Sequence, residues 1–134
     1  MVYIRADSNP MISGGHIMRC LAIADALAAR NIKVCFLIAD ENSTPVLDDY
    51  GFPYINLESN WNDLLTDVDQ VKAILIQERE SILLIDSYQV TREYVEELKP
   101  FAKVVYLGSK MEYIGKLDML INYSADIDYG FYNE

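Results

Sequence analysis

Near the start of the chain, a glycine pair, a histidine and an arginine fall within six residues: Gly14-Gly15-His16, then Arg19 one helical turn on. Paired glycines let backbone come close to a ligand, and free amides at a helix start favour an anion or a developing oxyanion. The same pair also makes an ordinary tight turn. The spacing is not a dinucleotide fingerprint, which needs a glycine near Arg19, nor a phosphate loop, which needs Gly-Lys-Ser/Thr. His16 is the only histidine. At a helix N-terminus the dipole favours a neutral ring, and a neutral imidazole is suited to take a proton from water as a general base. Arg19 can hold a phosphate or carboxylate, or stand as a solvated helix cation. Arg5 and Asp7, two apart in an apolar run, share one strand face. They form either a structural ion pair, with Asp7 or Asp86 as the acid, or the lining of a site in which one carboxylate orients His16. Asp86 ends another apolar run and leads into Ser87-Tyr88, as a site carboxylate or a turn cap.

These residues need strands and helices to position them. Mostly apolar runs at 2–6, 34–39, 82–85 and 104–107 read as strands, the later three without polar alternation, as in a parallel sheet buried on both faces. Runs at 53–57 and 119–121 are weaker strand candidates. Ile17, Cys20, Leu21, Ala24, Leu27 and Ala28 recur with helical spacing. Ser43-Thr44-Pro45 starts a short helix that Gly51 closes, Asp67 leads a third over 68–80, and Thr91 caps a fourth that ends at Pro100. Strands alternating with helices predict an α/β sandwich around a mostly parallel sheet. In such a sheet ligands bind beyond the carboxyl ends of the strands. That is where the loop 7–16, Asp86-Ser87-Tyr88 and Gly108-Ser109-Lys110 would lie. Beyond Gly108 no long helix fits, and that end is rich in tyrosine.

A chain of 134 residues makes one domain, long enough to bury roughly two-thirds of its unfolded surface. The formal net charge of -10 argues against nucleic acid and anionic membranes as partners. The longest apolar run is far too short to span a bilayer, and the first residues lack the pattern of a signal peptide. Cys20 and Cys35 fit no metal or redox spacing and read as small core residues; no metal or cofactor is expected. The expected setting is cytoplasmic.

Arg5-x-Asp7, Ser13-Gly14-Gly15-His16, Arg19-Cys20-Leu21 and Leu27 together resemble the opening of one nucleotide-sugar hydrolase family. These are the UDP-2,4-diacetamido-2,4,6-trideoxy-altropyranose hydrolases of pseudaminic acid biosynthesis, with relatives among spore coat polysaccharide biosynthesis proteins. Leu84-Ile85-Asp86-Ser87-Tyr88 is similar to the family's V-D-H/S-Y element, and Leu120-Ile121-Asn122 to a later I-N element. The matched blocks span Arg5 to Asn122. Two positions depart from the pattern: Ser13 stands for the first glycine of G-x-G-H, and Gly108-Ser109 stand where the family carries an acidic pair.

The resemblance implies a Rossmann-like three-layer sandwich, the N-terminal half of a GT-B-like glycosyltransferase architecture. It implies a cytoplasmic enzyme of surface polysaccharide synthesis that needs no metal and releases UDP from an amino-deoxy sugar by water attack at the anomeric carbon. His16 matches the catalytic base; Ser13, Gly14 and Gly15 would approach the diphosphate or sugar; Arg5, Asp7, Arg19, Asp86 and Tyr88 would bind substrate. The partners implied are the UDP-sugar and a C-terminal nucleotide-binding domain beyond these 134 residues, which alone are expected to turn over little. Self-association through the exposed cleft and the tyrosine-rich end is a further expectation. Two alternatives are an acceptor-side domain of a glycosyltransferase and a stand-alone α/β binding module. Asp7, Asp86 and Lys110 give the module a loose similarity to phospho-acceptor receivers.

Overall fold

A computed structural model of the chain describes residues 1–11, 15–78, 80–108 and 117–121. Ser13, Gly14, Ser109, Lys110, Asn122 and most of the tyrosine-rich end lie outside the described residues. The elements run β1 (Val2–Ala6), α1 (Gly15–Ala28), β2 (Val34–Ile38), α2 (Thr44–Tyr50), β3 (Tyr54–Asn56), α3 (Val68–Ile76), β4 (Ile82–Asp86), α4 (Arg92–Leu98), β5 (Lys103–Leu107) and β6 (Met119–Ile121). The six strands form one sheet in the order β3-β2-β1-β4-β5-β6, and every neighbouring pair is parallel. This is a Rossmann-like α/β sandwich, as the alternating pattern predicts.

Alternation along the strands divides two cores. Val2, Ile4 and Ala6 of β1 pack with Ile17, Cys20, Leu21 and Ala24 of α1 and Leu47 of α2. Tyr3 of β1, Cys35 and Leu37 of β2 and Leu83 and Ile85 of β4 pack on the other side, against Val71 and Leu75 of α3 and Tyr94, Val95 and Leu98 of α4. The central strands bury both faces, and this explains why their sequences lack polar alternation. The chain runs outward from β1 to β3, returns to β4, and then builds outward again. β1 and β4 therefore flank the crossover, where loops leave in opposite directions and open a crevice. Their register sets Ala6 opposite Asp86, so β4 extends one residue past the apolar run.

Several boundaries move for physical reasons. The helix expected over 68–80 ends at Ile76, where the Gln77 amide bonds to Ile74 and tightens the last turn before β4. The strand expected over 53–57 keeps only its middle three residues as the sheet edge. α2 ends as read, with Gly51 at φ 75, a left-handed position suited to glycine. Thr91 caps α4, its side chain accepting from the Tyr94 amide at 3.2 Å, and the helix stops one residue before Lys99-Pro100. Ser43 and Asp67 precede helices as expected, yet neither side chain caps one. The Ser43 hydroxyl, fully buried, accepts from the Ser8 amide at 2.9 Å and ties the loop after β1 to the start of α2.

Candidate functional site

α1 begins at the crevice, and helical spacing brings His16, Arg19 and Cys20 to one side of its first turns. That side meets Asp86, the last residue of β4. His16 Nδ1 is hydrogen-bonded to Asp86 Oδ1. Cys20 Sγ donates to Asp86 Oδ2 at 3.5 Å, and Arg19 Nη2 lies 3.5 Å from Oδ1 and 3.2 Å from His16 Nδ1. A ring nitrogen cannot donate to a carboxylate and accept from a guanidinium with the same lone position. The close carboxylate favours the tautomer with its proton on Nδ1, which leaves Nε2 as the acceptor. Burial, then the neighbouring carboxylate, push the Cys20 thiol far up, so it stays protonated and donates.

His16 is 7% exposed, whereas Arg19 keeps 35% of its side chain in solvent. The Tyr88 ring packs edge-on against the imidazole, with centroids 4.9 Å apart and planes at 85°, while half of the residue stays exposed. His16, Asp86 and Tyr88 line a small pocket together with Asp7, Trp61, Ser87 and Gln89, with room for roughly one water molecule. Ser87 shapes the loop by accepting the Gln89 amide at 3.0 Å.

Asp7 closes the pocket floor and is itself held at both oxygens. Oδ1 accepts the Ala39 amide at 2.7 Å, and Oδ2 accepts Arg5 Nη1 at 2.7 Å. Arg5 is 0% exposed and reaches away from the pocket, on the α3–α4 side of the sheet. Its Nε donates to Asp67 Oδ2 at 3.0 Å, and Tyr94 Oη donates to Asp67 Oδ1 at 2.8 Å. Burial raises the Asp67 carboxyl against the pull of Arg5, and it lifts the Tyr94 phenol well above its usual range. The substrate-binding role expected of Arg5 is therefore corrected: it presents no surface to a ligand and acts by fixing Asp7. Its acids are Asp7 and Asp67, while Asp86 faces α1 on the other side of the sheet.

The structure thus gathers Asp7, His16, Arg19, Asp86 and Tyr88 at one crevice, with Gly15 exposed at its rim. At Gly15 a Cβ would meet only Arg19 Nη1 at 3.5 Å, an ordinary contact, so close packing does not demand glycine there. At Gly108 the Tyr106 phenol occupies the place a side chain would take. A carboxylate there would have to displace that ring. Trp61, Gln89, Asp67, Tyr94 and the donor role of Cys20 escape sequence reading. Cys20 alone carried a signal, its position four residues after His16. A larger depression of about 330 Å³ between α3 and α4 is lined by Asp69, Glu93, Glu96, Glu97, Leu65 and Val68, and two of its carboxylates are already engaged, Glu97 by Lys72 and Glu96 by Arg92. Among the described residues no group of three or more His, Cys, Asp or Glu could hold a metal ion, and no helix is long and apolar enough to cross a membrane.

Compared with known proteins, the chain matches no protein-family model, no curated protein and no solved structure at a conventional significance threshold.

Proposed function

We propose that the chain forms the sugar-side half of an enzyme that hydrolyses a UDP-sugar at its anomeric carbon. The observation that carries this reading is the His16–Asp86 pair at the switch point between β1 and β4, beside space for roughly one water. The sequence resemblance supplies the substrate class.

In this mechanism the bond between the anomeric carbon and the β-phosphate oxygen breaks as a water oxygen bonds to that carbon. Nε2 of His16 takes the water proton, and Asp86 stabilises the imidazolium that forms. UDP leaves with the electron pair of the broken bond. Arg19, partly exposed beside the first turn of α1, faces the charge that develops on the diphosphate. Asp7, Ser87 and Gln89 offer hydrogen-bonding groups to the sugar. The narrow space next to His16 favours water over the bulkier hydroxyl of an acceptor sugar, and so hydrolysis over glycosyl transfer.

The test is hydrolysis of a UDP-diacetamido-trideoxyhexose by the complete encoded protein in ¹⁸O water. Label in the free sugar and none in UDP is expected, with a loss on the order of 100-fold or more in His16→Ala. Label in UDP would mean attack at phosphorus, and undiminished turnover in His16→Ala would remove the base; either result defeats the reading.

A further inference from the structure

The pocket wall contains a residue that no part of this mechanism uses. Trp61 is the only tryptophan in the chain, and it stands half-buried in the connection between β3 and α3. It lines the same pocket as Asp7, His16, Asp86 and Tyr88. A large apolar ring beside two carboxylates is not explained by core packing, since Trp61 belongs to neither hydrophobic core.

Its segment is braced. The Ser59 amide bonds to Ala39 O at 2.8 Å, which ties the loop to the end of β2. Asn60 Oδ1 accepts the Asn62 amide at 2.9 Å, the Asn60 amide donates to Thr66 Oγ1 at 3.1 Å, and the Asp63 amide bonds to Asn60 O at 3.1 Å. Four residues after Asp63 the same segment anchors in the core through Asp67. An indole carried on such a loop is held in place before a ligand arrives, and this limits the ordering entropy that binding must offset.

We propose that Trp61 is a specificity-determining residue that receives the apolar face of a pyranose ring, with Tyr88 as the second aromatic wall. The proposal rests on the sugar-hydrolysing reading and deepens it. A pyranose has axial C–H bonds on its faces and hydroxyls around its rim. It is matched by aromatic side chains beside carboxylate, amide and hydroxyl groups, the combination that Trp61, Tyr88, Asp7, Asp86, Ser87 and Gln89 provide. The pocket is too small to admit a ring. The sugar therefore lies across its mouth against the aromatic walls, with the anomeric carbon over the space beside His16. A uracil could also stack on an indole, but carboxylates flank this one, and they suit hydroxyl donors better than a diphosphate attached close by.

Because the chain has one tryptophan, its fluorescence reports on this wall directly. The 134-residue chain would be titrated with UDP-N-acetylglucosamine, with N-acetylglucosamine and with UDP. The expected result is a saturable change in emission, with reduced acrylamide quenching, for both sugar-bearing ligands and a much smaller change for UDP. By calorimetry, Trp61→Ala should weaken UDP-N-acetylglucosamine binding about tenfold, equivalent to about 1.4 kcal/mol, and leave UDP within about twofold. Trp61→Phe should recover most of the loss, which excludes a folding defect as its cause. Equal changes with UDP and UDP-sugar, no sugar response, or unaltered sugar affinity in Trp61→Ala would each overturn the proposal. These readouts need no turnover. A Trp61-dependent sugar response, with no UDP released by the complete encoded protein, would leave the stacking role standing and defeat the hydrolase reading.

Discussion

Two charged clusters sit back to back across the central strands, and they are built for opposite tasks. On the α3–α4 side, Arg5, Asp7, Asp67 and Tyr94 form a closed network whose arginine has no solvent contact. On the α1 side, His16, Asp86, Cys20 and Arg19 form an open one, in which the arginine is partly solvated and the histidine borders a pocket. The closed cluster uses a cation that cannot lose its proton: Nε of Arg5 donates to Asp67 and Nη1 to Asp7 and the Leu37 carbonyl, Tyr94 donates to Asp67, and Nη2 of Arg5 is left without a partner. The open cluster instead centres on an imidazole whose Nδ1 is engaged by Asp86, which leaves Nε2 as an acceptor. Asp7 links the two: it belongs to the closed network and lines the open pocket. The contrast is between a permanently charged residue buried beneath the pocket, which holds a carboxylate in place, and an imidazole at its rim, which keeps one nitrogen as an acceptor.

The comparison can be broken most sharply at the open cluster. Asp86→Asn keeps the shape but removes the carboxylate that selects the Nδ1 proton. On the proposed hydrolysis, UDP release by the complete encoded protein, measured by chromatography, should fall by on the order of 100-fold to 10,000-fold, with the thermal midpoint little changed. The closed cluster should respond the other way. Arg5→Ala leaves Asp7 and Asp67 buried without their cation and should lower unfolding stability in urea by about 3–5 kcal/mol. Replacing Arg5 by Met together with Asp67 by Leu should restore part of that loss, because one buried carboxylate, Asp7, rather than two is then left without its cation. If the double replacement is as unstable as Arg5→Ala, the charged network contributes more than compensation of its own burial. A smaller effect is expected at Ser43→Ala, which unties Ser8 from α2 and should cost about 1–2 kcal/mol. The smallest lies far from both clusters, at Asp118. Lys99 and the Val104 amide hold its carboxyl below the usual range. Its folded pKa lies below its unfolded one, so its contribution is present above the unfolded value and is lost as pH falls through that window. Asp118→Asn should slightly lower stability in the neutral region and leave the acid end nearly unchanged, so that the acid limb of a stability-against-pH curve flattens.

Much of the fold was legible in the residues themselves. The buried runs of β2, β4 and β5 carry no polar alternation, and only a sheet covered on both faces accommodates that pattern. Pro45 and Gly51 bracket α2, and Thr91 caps α4, because these are local backbone effects that neighbours in sequence decide. His16 and Asp86 stood out because each follows or ends an apolar strand run. Asp67 misled for an equally local reason: an aspartate before a helix is a common cap, and nothing nearby shows that a buried guanidinium 62 residues away will claim it instead. Ser43 misled in the same way, with Ser8 as its distant partner.

The sequence by itself determined the element types, the two-sided burial of the strands and the residues able to do chemistry, since periodicity, capping and backbone preference act over a few residues. Only the tertiary structure decided which face of the sheet each charge would join. It separated Arg5 from Asp86, turned Cys20 into a donor, and brought Trp61 from the connection between β3 and α3 to the wall beside His16. Those pairings depend on strand order and register, and the crossover between β3 and β4 is what folds residues far apart in the chain onto a single edge of the sheet.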